Sequence, residues 1–95
     1  MTKKELKEQG IEVEVIDNGY RVAPTYKYIY KARKTTIVVD KDDYFGTKSY
    51  VMEFNGNDVK NFYGRQLRWH TLAELHEDML LMIIGKMPIR CFALI

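Results

Sequence analysis

Tyr26-Lys27-Tyr28-Ile29-Tyr30-Lys31 alternates with a period of two, so an extended strand would carry three phenol rings on one face and its cations on the other. Between Tyr20 and Thr36 the sequence holds Arg21, Lys27, Lys31, Arg33 and Lys34 with no acidic residue, a local charge of +5 in a chain of net charge +2. Rings of this kind stack on unpaired bases at ~1–3 kcal/mol each, and ammonium and guanidinium groups neutralise phosphates. The same groups suit an acidic protein surface. Strict alternation separates rings from cations, so a shared platform needs help from neighbouring strands, for which Arg21, Lys48, Arg65 and Arg68 are available. The competing reading is that Tyr26, Tyr28 and Tyr30 cover the core while the lysines face water.

A second cluster, Tyr63-Gly64-Arg65-Gln66-Leu67-Arg68-Trp69-His70, brings two guanidiniums and the only tryptophan together. Arginine and tryptophan are the residue types that most often dominate interfaces. Trp69 reads as core, packing over the start of a helix, and Arg65 and Arg68 read as contact residues. Together, Tyr26, Lys27, Tyr28, Tyr30, Lys31, Arg33, Lys34, Arg65 and Arg68 form the candidate binding set.

Catalytic chemistry is poorly supplied. His70 and His76 have no zinc spacing and no His-Glu-x-x-His arrangement, and Cys91 sits in an apolar run where a thiol stays inert. Asp40-Lys41-Asp42-Asp43 lacks the glycine and closing glutamate of a calcium loop. Asp58-Val59-Lys60, downstream of Asp40 and Asp43, has the residue types with which a small metal-dependent nuclease holds Mg²⁺ and stabilises phosphate charge, but the triplet is common. No metal site, no cofactor and no enzymatic activity are expected.

The elements that carry these residues are legible in outline. Thr2 and Glu5 have capping-box spacing before a short helix that ends at Gly10. Ile11–Asp17 alternates and meets Asn18-Gly19, the dipeptide of a type I′ hairpin, predicting a return strand over Tyr20–Ala23 that pairs Val15 with Val22. Pro24 breaks the ladder, and a strand follows from Thr25 to Arg33. Thr35–Asp40 and Lys48–Phe54 read as strands around a turn at 41–43. Asn55-Gly56 stops the second, and one helical turn is expected over Asn57–Tyr63.

Thr71 and Glu74 repeat the capping-box spacing, and Gly85 with Pro88 ends the helix between them. Leu72, Leu75, Met79, Met82 and Ile83 fall on one arc, with Glu74, Glu77 and Asp78 opposite. Leu81 and Ile84 lie outside that arc and make the back of the last turn greasy. Ile89–Ile95 reads as a final covered strand. The expected fold is α+β: an antiparallel sheet of about five strands, one main helix across one face and a short N-terminal helix.

Composition bounds the rest. Ninety-five residues give a single domain over 1–95, 46% hydrophobic and 29% charged, which excludes disorder. The longest aliphatic run, Leu80–Ile84, is too short to cross a bilayer, the N-terminus lacks the apolar stretch of a signal peptide, and a lone cysteine suits a reducing compartment. The expected location is the cytoplasm. Charge alternates in blocks, −3 over 11–19, +5 over 20–36, −2 over 37–43, +2 over 55–70 and −3 over 71–84, which either marks a polar surface or lets neighbouring strands pair. No family motif is present, although the Lys-, Tyr- and Asn-rich composition resembles small accessory proteins of phages and mobile elements.

The sequence therefore predicts a non-enzymatic module binding nucleic acid or an acidic, nucleic-acid-handling protein through its tyrosine- and cation-rich sheet surface, with no membrane contact. The alternatives are a homodimer or assembly protein built on Leu81, Ile84 and the C-terminal strand, and the small nuclease.

Overall fold

The computed structural model describes residues 3–61 and 63–88. The predicted segments Ile89–Ile95 and the Thr2 cap lie outside them. Element order is α1 (Lys3–Glu8), β1 (Ile11–Ile16), β2 (Thr25–Tyr30), β3 (Thr35–Lys41), β4 (Tyr50–Phe54), β5 (Asn57–Asp58) and α2 (Leu72–Ile83). The five strands pair as an antiparallel meander in sequence order. This is the expected α+β architecture, with a main C-terminal helix and a short N-terminal one.

The register decides which residues can work together. Ile11, Val13 and Val15 pair with Tyr30, Tyr28 and Tyr26; those tyrosines pair with Thr35, Ile37 and Val39; Val39 and Ile37 pair with Met52 and Phe54. Directly opposed residues share a face, so the tyrosine row lies with the aliphatic residues on the side that receives α2. Buried Leu75, Met79, Met82 and Ile83 from α2 join Tyr28, Ile37, Val39, Met52 and Trp69 in one core. The opposite face carries Glu12, Glu14, Ile16, Thr25, Lys27, Ile29, Thr36, Val38, Asp40, Val51, Glu53 and Asp58.

Two turn assignments change. Asn18-Gly19 does not form the predicted hairpin; β1 pairs with β2, and residues 17–24 make a wide loop between them. Here Asp17 Oδ1 accepts from the Gly19 amide at 2.9 Å, and the Asn18 amide donates to Ala23 O and Thr25 Oγ1. The Asn18 side chain is thus spent on the loop, and Pro24 has no amide to extend a ladder. Pairing resumes at Thr25, where the tyrosines can be buried. By contrast, Asn55-Gly56 has positive φ at both residues, 51° and 88°, and joins β4 to β5 as a type I′ turn.

The helical turn predicted over Asn57–Tyr63 is also not formed by its described residues 57–60, which are extended. Asn57 and Asp58 form β5, the Val59 amide donates to Met52 O, and Leu67 donates back to Val59 O. Val59 and Leu67 are buried, so the extended path places both apolar side chains in the core. Trp69 exchanges both backbone hydrogen bonds with Tyr50 and closes that edge. The strand predicted from Thr25 to Arg33 ends at Tyr30, because Lys31–Arg33 form a 3-10 turn closed by Lys34 at φ 51°.

Candidate functional site: the loop end of the sheet

The expected binding set divides among separate places. Tyr28 is 2% exposed, and Tyr26 and Tyr30 are half-buried against the core. Lys27 faces the other way, directly opposite Glu14. Lys31 leaves the sheet and pairs with Glu12 at 3.1 Å. Arg33 lies in the same 3-10 turn, its Nη1 3.2 Å from the position a Gly85 Cβ would take, and Lys34 is exposed beside it. Thus the sheet offers no face on which the Tyr26, Tyr28 and Tyr30 rings and these cations stand together. The rings were drawn inward because the strand period put them on the side that α2 covers.

Arg65 lies on an exposed loop shaped by Asn61, whose Oδ1 accepts from the Tyr63 and Arg65 amides at 2.9 and 3.1 Å. Arg68 takes part in a more organised arrangement. It donates to Asp42 O at 2.7 Å, Asp42 Oδ2 at 3.0 Å and Ser49 Oγ at 3.1 Å, with its guanidinium 4.7 Å from the centre of the Tyr44 ring. Tyr44 in turn meets Phe45 edge-on, centroids 4.3 Å apart.

Sequence reasoning missed this hairpin tip. Tyr44 and Thr47 exchange backbone hydrogen bonds, leaving Phe45 and Gly46 as a two-residue turn at φ 50° and 74°. Phe45 is 89% exposed and Tyr44 54%. A bulky side chain on left-handed backbone is strained by roughly 1–2 kcal/mol, so the ring is held outward against both its hydrophobicity and its backbone preference. The available signal was the pair of aromatic residues in the polar turn Asp42-Asp43-Tyr44-Phe45-Gly46-Thr47.

The β1–β2 loop leaves the same end of the meander, since alternate connections of an antiparallel sheet share an end. It carries Tyr20, 86% exposed, with the Arg21 guanidinium 5.2 Å from its ring centre. Thr25 ties the two loops together, accepting from Asn18 and donating to Asp40 at the end of β3. Much of the positive charge here is neutralised: Lys41 pairs with Asp43 at 3.8 Å and Arg68 with Asp42 at 3.0 Å. The end is therefore aromatic and locally balanced in charge. It suits aromatic and guanidinium contact better than attraction of a polyanion.

The acids weighed as nuclease ligands lie apart. Asp40 accepts from Thr25, Asp43 from the Ser49 amide, and Asp58 from Gln66 Nε2. Among the described residues no three His, Cys, Asp or Glu side chains gather closely enough to hold a metal. His70 is exposed beside the buried Trp69, and Cys91 lies outside the described residues. His76 is buried with its Nε2 2.8 Å from the Tyr28 hydroxyl.

Comparison with protein-family models, with curated proteins and with solved structures finds no match. Among the described residues, no helix is long and apolar enough to cross a membrane.

Proposed function

We propose that this chain is a non-enzymatic binding module that holds a protein partner at the loop end of its sheet, with Phe45, Tyr44 and Tyr20 as anchors and Arg21 and Arg68 beside them. The observation that carries this reading is Phe45: a ring 89% exposed on left-handed backbone, which folding alone does not favour. Aromatic and arginine side chains dominate interface energetics, and a partner that covers them recovers the apolar contact the fold leaves unmade. The nucleic-acid reading loses support because Tyr28 is interred and Lys41 and Arg68 are paired with Asp43 and Asp42.

Affinity capture from the host with the wild-type chain and with Phe45→Ser tests this. A partner retained by the wild type and reduced at least tenfold by the variant, with unchanged circular dichroism, supports it. Equal recovery overturns it. Tight binding of a labelled single-stranded oligonucleotide that weakens with salt would restore the nucleic-acid reading.

A second reading has its own observation. Leu81, Ile84 and Met87 are all exposed at the end of α2, and Leu81 and Ile84 border an open groove with Ile11, Tyr30 and Leu80. A second copy of the chain burying this patch would form a homodimer. Sedimentation shows a concentration-dependent dimer if so, abolished by Leu81→Glu.

A further inference from the structure

The face of the sheet away from α2 has the anatomy of an interface. Ile29, Val38 and Val51 are diagonal neighbours across β2, β3 and β4, given the pairings Ile29 with Thr36, Val38 with Lys27 and Glu53, and Val51 with Asp40. They are half-buried, and belong neither to the core nor to the hydrophobic side chains packed on it. Around this diagonal stand Glu12, Glu14, Asp40, Glu53 and Asp58, with Lys27 the one cation among the outward positions of β1–β5 and Lys60 two residues beyond Asp58. An apolar centre inside a charged rim is how protein interfaces are built.

One pairing on this face opposes folding. Glu53 and Asp58 are directly opposed on adjacent strands, where like charges destabilise a sheet. Both are exposed, and Asp58 accepts a long 3.4 Å hydrogen bond from Gln66 Nε2. Asp40 is taken by Thr25 and Glu12 by Lys31, so Glu14, Glu53 and Asp58 are the carboxylates best placed to meet an incoming cation. A local choice that costs stability, set beside an aliphatic diagonal outside the core of the described residues, points to use by a partner.

We propose that this outer face docks a basic amphipathic segment of a partner protein, its apolar side chains on Ile29, Val38 and Val51 and its lysines or arginines on Glu14, Glu53 and Asp58. This surface is distinct from the loop end and stands or falls separately. Its charge repels nucleic acid and favours a cationic protein surface.

The probe is a 16-residue amphipathic Lys/Leu peptide, with a Glu/Leu peptide of the same pattern as control, titrated into the ¹⁵N-labelled chain. Amide shifts should concentrate on Lys27, Ile29, Val38, Val51 and Glu53 with the basic peptide only. Glu14→Gln/Glu53→Gln/Asp58→Asn should weaken binding at least tenfold, and Glu53→Gln/Asp58→Asn alone should not lower the thermal midpoint, since it removes the repulsion between those two. Val38→Ser should weaken it about fivefold with every charge in place, which separates docking from simple attraction of a polycation. Phe45→Ser should leave this affinity unchanged. Shifts scattered over the surface or centred on Tyr44 and Phe45, or a triple variant that binds as the wild type does, would overturn the proposal.

Discussion

His76 and Asp78 leave α2 two residues apart, and each fixes the helix to a different neighbour. His76 Nε2 lies 2.8 Å from the Tyr28 hydroxyl on β2, while Asp78 Oδ2 accepts from Trp69 Nε1 at 2.7 Å. Burial pushes the Tyr28 phenol up to about 12 and holds the His76 imidazole down to about 4. Because the folded histidine binds its proton less readily than the unfolded one, its contribution is complete above pH 6.5 and is lost as pH falls from 6.5 towards 4. A depression of that size amounts to about 3 kcal/mol. Urea midpoints at pH 7 and 5 should therefore differ in the wild type and nearly coincide in His76→Gln. Asp78→Ala strands the Trp69 N–H in the core and should cost about 1–3 kcal/mol in the same assay. Neither pair was legible beforehand: helical periodicity put Asp78 with the polar face, and nothing in a sequence shows that a tryptophan nitrogen arrives there from the preceding loop. His76 Nδ1 has no partner, the sole buried side-chain nitrogen or oxygen so placed among the described residues.

At the level of elements, identical dipeptides met opposite fates. Asn55-Gly56 turns a hairpin, whereas Asn18-Gly19 starts a wide loop because the Asn18 side chain bonds Ala23 O and Thr25 Oγ1 and Pro24 has no N–H to extend a ladder. Local turn preference is a tie-breaker, and the larger gain from burying the β2 tyrosines overrode it. The α2 cap, in contrast, was readable in full: the Thr71 hydroxyl accepts from the Glu74 amide at 3.1 Å, as the spacing predicted. Thr71→Ala should lower stability by about 1 kcal/mol. The 44–47 turn gives the opposite sign. Phe45→Asn puts a residue tolerant of positive φ at that position, and the chemical-denaturation midpoint should rise by the equivalent of about 1 kcal/mol while partner capture falls. Loss of stability in that variant would mean that the phenyl ring contributes to the fold.

Across the whole molecule, charge is sorted by surface in a way that a running sum along the chain conceals. The +5 of residues 20–36 disperses: Lys27 goes to the acidic outer face, Lys31 to Glu12, Arg33 and Lys34 to the opposite end from Arg21. Alternation predicted that rings and lysines would part, but which side α2 would cover follows from tertiary packing. The Thr71 cap of α2 came through because it depends on neighbours in sequence; the acidic sheet face did not, because it is assembled from four strands.

Trp69 is the chain's one indole, completely enclosed where the segment after β5 meets β4 and α2. The protein thus contains its own optical gauge at the joint between sheet and helix. Separation of that joint would expose the indole to water and move its emission to longer wavelength, whereas rearrangement confined to the 44–47 tip would leave the signal still.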